Sequence, residues 1–229
     1  MSKILTPEDE HKYTFILLHP MYYDSSYFND FINYFKNNRN FKKLYKNIKF
    51  IFPEAPIMNI DYPRQKLYNI RSWYNYYTCN DGLNKIDAID VYDYKNQSKR
   101  IVKIINNEGK KIKYKNIFLL GVSQGGTLIF DILNNLPNNI GGLFCIKSIY
   151  MDLYTNIKKK YNRTPIYIFS GKKDTIYKID LQKKSFRKLK NKDFKISWCV
   201  DIRSDHFSVN TYEHYFVIQN LIQNLLNNI

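Results

Sequence analysis

Ser123 sits in the run Gly121-Val122-Ser123-Gln124-Gly125-Gly126, directly after the apolar segment Ile117-Phe118-Leu119-Leu120. A serine hydroxyl is a weak nucleophile at neutral pH. It needs a histidine to take its proton and a carboxylate to hold that histidine in the right tautomer. The spacing Gly-x-Ser-x-Gly between a strand and a helix suits this chemistry, because a nucleophile on a tight, strained turn needs small neighbours where backbone and helix pass closely. The chain has only 8 glycines in 229 residues, so two flanking one serine at this spacing is selective.

The partners of such a serine are expected further along the chain, acid first and histidine second. Asp174, in Ser170-Gly171-Lys172-Lys173-Asp174-Thr175, lies just past an apolar strand-like run. His206, in Arg203-Ser204-Asp205-His206-Phe207, lies ahead of the last helical pattern. Of the other histidines, His11 belongs to a polar N-terminal segment, His19 ends the first apolar run, and His214 falls on the last helix. Asp205 is an alternative orienting carboxylate, ranked below Asp174 because adjacent residues seldom present their side chains to each other.

The elements that must carry these residues alternate between short runs of β-branched and aromatic residues and longer segments of helical period. That alternation predicts an α/β fold, a mostly parallel sheet with helices on both faces, in one domain spanning residues 1–229. Strands are expected at 13–19, 47–52, 116–121, 142–148, 165–171 and 194–200. A core-facing helix is expected at 127–136, and a last helix is expected through Val217, Ile218, Leu221, Ile222, Leu225 and Leu226. Two more helices are read at 31–45 and 85–107, and 53–84 reads as irregular. The site would then gather at the carboxyl ends of the strands.

Apolar residues at 44% and aromatics at 17% exclude a disordered chain. The formal charge of +16 comes with 27 Asn and 21 Tyr and with basic residues spread from Lys3 to Lys195. This is a chain-wide bias, so no nucleic-acid partner is expected, although transient contact with an anionic membrane surface would fit. Cys79, Cys145 and Cys199 show no zinc-site spacing, so no metal is expected, and an odd count of three without CxxC pairing suits a reducing compartment. No apolar leader occupies residues 1–12 and no run reaches 18 apolar residues. The expectation is a soluble, cytoplasmic protein.

Several blocks in order give the chain a family resemblance: Phe15-Ile16-Leu17-Leu18-His19, Phe52-Pro53-Glu54-Ala55-Pro56, Ser72-Trp73-Tyr74, the Ser123 motif, Ser170 to Asp174, and Asp205-His206. Together they resemble the acyl-protein thioesterases of the phospholipase/carboxylesterase group, within the α/β-hydrolases. The resemblance implies Ser123 as nucleophile, His206 as base and Asp174 as acid. It implies oxyanion donors at the backbone N–H groups of Gln124 and Met21, and Trp73, Tyr150 and Ile176 bordering an acyl pocket. It implies no cofactor, and as substrate an S-acylated protein or a small ester, split through an acyl-serine. The rivals are a general carboxylesterase and a non-catalytic acyl- or partner-binding protein.

The loop after the first strand departs from the family's His-Gly-Leu-Gly-Asp. It reads His19-Pro20-Met21-Tyr22-Tyr23, where Pro20 fixes φ and Tyr22 is expected to resist any positive φ.

Overall fold

Phe15 and Leu17 face one side of a strand and Ile16 and Leu18 the other, and all four are buried. A strand covered on both faces requires this, because successive side chains point to opposite sides. The computed structural model describes residues 2–62 and 65–226. In chain order the elements are β1 (Ser2–Leu5), β2 (Tyr13–Leu18), α1 (Asn29–Asn37), α2 (Lys42–Tyr45), β3 (Ile48–Pro53), β4 (Ile57–Tyr62), β5 (Gln65–Arg71), α3 (Val91–Gly109), β6 (Ile117–Val122), α4 (Gln124–Asn134), β7 (Gly142–Ile146), β8 (Ile166–Gly171), α5 (Ile179–Lys190), β9 (Ile196–Asp201) and α6 (Thr211–Leu226).

Seven strands form one sheet in the order β1-β3-β2-β6-β7-β8-β9. Every neighbouring pair is parallel except β1 on β3. The period of two sorts the core into two layers. Phe15, Phe50, Phe118, Phe144 and Phe169 face α1, α2 and α6, while Ile16, Leu119, Leu143 and Ile168 face α3, α4 and α5. This is the expected α/β-hydrolase architecture, a mostly parallel sheet with helices on both sides.

The structure departs from the sequence expectations in five details. The stretch 53–84 is irregular only in part: within it β4 and β5 pair as an antiparallel hairpin, with residues 63–64 outside the described set, while 72–84 carries no helix or strand. The helix expected at 31–45 is two, α1 and α2, because Asn38 turns extended at ψ 119°. The helix expected at 85–107 starts at Val91, where the Asp90 carboxylate accepts from Asp93 N–H and caps it. The edge strand β1 and the helix α5 were not anticipated.

Candidate active site

Ser123 lies between β6 and α4 with φ 51° and ψ −116°, a strained conformation of the kind that functional sites retain. The surrounding structure enforces it. Ser123 N–H donates to Ile146 O at 2.9 Å, and Ser148 Oγ donates to Ser123 O at 2.7 Å. A Cβ at Gly121 would lie 2.3 Å from Gly125 O, and one at Gly125 would lie 2.5 Å from Leu18 O. Both glycines are therefore required by close backbone approach.

Three strand ends bring the sequence-predicted residues together. Ser123 Oγ is 2.9 Å from His206 Nε2, and His206 Nδ1 is 2.9 Å from Asp174 Oδ2. A carboxylate can only accept, so Nδ1 carries the ring proton and Nε2 is free to accept from the serine hydroxyl. Asp174 is buried, and its Oδ1 accepts from the N–H groups of Ile176 and Tyr177 at 2.9 and 2.8 Å. Asp205 takes no part in this chain of bonds. Its Oδ1 accepts from Phe207 N–H and Ser208 N–H at 2.9 and 2.7 Å, cinching the turn that presents His206.

The loop after β2 lies beside this chain because β2 and β6 are neighbours in the sheet. Tyr22 overturns the expectation set by its side chain: its φ is +74°. Its N–H donates to Arg71 O at 2.9 Å, so the hairpin strand β5 holds the loop in this unusual turn. His19 Nδ1 donates to Pro20 O at 2.8 Å, and His19 Nε2 accepts from Ala55 N–H at 3.0 Å. Burial lowers the His19 pKa, and these two bonds need the neutral ring. Met21 and Gln124 both border the cleft, and among the described residues neither backbone N–H has a protein acceptor.

The cleft above Ser123 and His206 has a volume of about 460 Å³, within the usual range for small-molecule sites. Its walls include Tyr27, Tyr62, Leu67, Tyr76, Ile176 and Tyr177. Of the three residues expected at an acyl pocket, only Ile176 lines it. Trp73 is fully buried, with its indole N–H donating to His19 O at 2.8 Å. Tyr150 is buried too, with its hydroxyl donating to Thr155 O at 2.5 Å. Both are drawn inward because a large ring with one polar atom can satisfy that atom inside the core. Among the described residues no cluster of His, Cys, Asp or Glu could hold a metal ion, and no helix is long and apolar enough to cross a membrane.

The family model for phospholipase/carboxylesterase matches residues 1–201. The chain belongs to the phospholipase/carboxylesterase family. Acyl-protein thioesterase 1 of Kluyveromyces lactis is 30% identical over 162 residues, 66% of this chain and 69% of that protein. Arabidopsis thaliana SOBER1 has a similar structure, with TM-score 0.80 and 18% identity over 93% of this chain and 99% of that one. Zea mays acyl-protein thioesterase 2 gives TM-score 0.77 at 17% identity, over 98% and 99%. A Bacillus cereus carboxylesterase gives 0.75 at 12%, over 97% and 93%. At these identities the three structures speak for the fold alone, and the family places the chain among serine hydrolases of the esterase and thioesterase type.

Within this phospholipase/carboxylesterase member, the Phe52 to Pro56 and Ser72 to Tyr74 blocks work as scaffolding. Gln124 Nε2 donates to Tyr74 O at 2.9 Å, and Gln124 Oε1 accepts from Trp73 N–H at 2.8 Å. The start of α4 is thereby tied to the segment that also holds His19. Sequence reasoning missed the hairpin, which supplies Tyr62 and Leu67 to the cleft. Its signal was present in the alternation Met58, Ile60, Tyr62, all packed on the core.

Proposed function

We propose that the protein hydrolyses acyl thioesters of protein cysteines, with Ser123 as nucleophile, His206 as general base and Asp174 as its orienting acid. Ser123 Oγ attacks the acyl carbonyl as His206 Nε2 takes its proton. The tetrahedral oxyanion is met by the N–H groups of Met21 and Gln124. Collapse breaks the carbon–sulfur bond, and the thiol leaves with the proton from His206. Water, deprotonated by His206, then attacks the acyl-serine and releases the fatty acid and the free hydroxyl.

The single observation that carries this reading is the unbroken chain Ser123 Oγ, His206, Asp174 at 2.9 Å in each step, placed under a tyrosine-rich cleft. The acylated-protein substrate is supported by the Kluyveromyces lactis relative's name and by the apolar part of the cleft wall. The test compares thiol release from a palmitoylated cysteine peptide with hydrolysis of a matched oxygen ester. Thioester turnover that is lost in Ser123→Ala supports the reading. Turnover of small oxygen esters alone would make the protein a general carboxylesterase, and binding of either without turnover would make it a non-catalytic acyl binder.

A further inference from the structure

Lys147 directly follows β7, at the same carboxyl end of the sheet as the site. It is fully buried, with a left-handed φ of 46°. Its Nζ lies 2.9 Å from Glu213 Oε2, in the first turn of α6, and donates to the carbonyl oxygen of Ser208. A buried ammonium is costly and persists only where it is paired and hydrogen-bonded. Packing alone would be served by an apolar side chain here, since the neighbours Ile146 and Ile149 are buried. What lysine adds is a donor that reaches Ser208, two residues past His206.

The other bonds of that turn are mostly internal. Asp205 Oδ1 accepts from the N–H groups of Phe207 and Ser208, and Asp205 N–H donates to Ser208 Oγ at 3.1 Å. These shape the turn without fixing it to the sheet. Lys173 N–H donating to Ser204 O at 3.0 Å anchors its leading side, and Lys147 anchors its trailing side. Ile146 O and Ser148 Oγ meanwhile hold the backbone of Ser123. Three consecutive residues, 146–148, thus grip both the segment that carries Ser123 and the turn that carries His206.

We propose that the Lys147–Glu213 pair is a positioning clamp that keeps His206 Nε2 in register with Ser123 Oγ. Glu213 holds the ammonium in place, and the ammonium holds Ser208. The charged and titratable groups facing the pair are Asp201 at the end of β9, Asp205 and His206 on the turn, His214 on α6, and Tyr27. The clamp rests on the assignment of Ser123 and His206 given above.

The test is the double variant K147M/E213M, which removes both members of the ion pair together and leaves neither charge buried alone. Replacing a buried ion pair by apolar groups of similar size is often neutral for folding, so the melting temperature should stay near that of the wild type. We expect kcat and the rate of Ser123 labelling by a fluorophosphonate to fall about 10- to 100-fold, the size of effect that an ångström of misplacement produces. KM should change less, and the acid limb of kcat/KM against pH should move. A folded double variant with kcat within about twofold of wild type and an unmoved acid limb would overturn the clamp and leave the pair a stability element only. If that variant does not fold, K147M/E213Q, which keeps a polar group on α6, carries the same expectations. A wild type that is not labelled at Ser123 would overturn the site assignment and the clamp with it. A labelled wild type matched by its double variant overturns the clamp alone.

Discussion

His206 Nδ1 faces Asp174 Oδ2 at 2.9 Å, and no bond joins it to the adjacent Asp205. The two carboxylates therefore do different work, and replacing each by its amide separates them. Asp174→Asn should lower kcat by about 10⁴-fold, because an amide at this place favours the wrong imidazole tautomer. Asp205→Asn keeps an acceptor oxygen for the turn and should cost less than about tenfold. Steady-state kinetics on a p-nitrophenyl ester read both, and the reverse ranking would move the orienting role to Asp205.

The loop from His19 to Tyr22 is held by Trp73 Nε1 on His19 O, His19 Nδ1 on Pro20 O, and Tyr22 N–H on Arg71 O. It is ordered before substrate arrives. The double variant Pro20→Gly/Tyr22→Gly frees two φ angles, so the loop must be ordered in each turnover. We expect kcat to fall by about tenfold or more, bounded by the 10²- to 10³-fold that follows loss of one oxyanion donor, with a smaller change in KM. An altered KM with unchanged kcat would place the second donor elsewhere.

Burial lowers the pKa of His214, with the Lys147 charge acting in the same direction and Asp30 opposing them. In the unfolded chain a histidine titrates near about 6.5. Its neutral form therefore contributes stability that is complete above that pH and is lost as pH falls through it. Thermal melts between pH 7.5 and 5.5 should show the melting temperature dropping on acidification, and His214→Phe should make that drop shallower. The contribution of one such group is at most about 1.4 kcal/mol per pH unit. Burial raises the neighbouring Glu213 carboxyl, which acts in the opposite sense in both proteins. An identical slope in wild type and variant would contradict the assignment.

The parts of the site legible in the sequence are those written locally. Gly121 and Gly125 flank Ser123 because a side chain at either would strike backbone, and that demand leaves a short motif. The central strands were legible because both faces are buried and their apolar runs are continuous. The hairpin β4–β5 left a weaker mark, because the inward side of its alternation is only three residues long, Met58, Ile60 and Tyr62, and the exposed apolar Ile57 blurs it. The helix α5 was hidden because it buries Gln182 and Ser185 beside Leu181, Phe186 and Leu189. Trp73 and Tyr150 misled for a related reason: nothing in a sequence says whether an aromatic ring walls a cleft or fills a core. The clamp at Lys147 was invisible, since a lone lysine after a strand reads as surface until its partner on α6 is seen.

The proposed mechanism requires Ser123 to carry the acyl group. The most direct measurement is the intact mass of the protein quenched within milliseconds of mixing with an acyl thioester, followed by peptide mapping of the adduct. We predict one acyl group per chain, on Ser123, which decays as free acid appears and is absent from Ser123→Ala. Turnover by wild type with the acyl group on another residue, or undiminished turnover by Ser123→Ala, would contradict the mechanism.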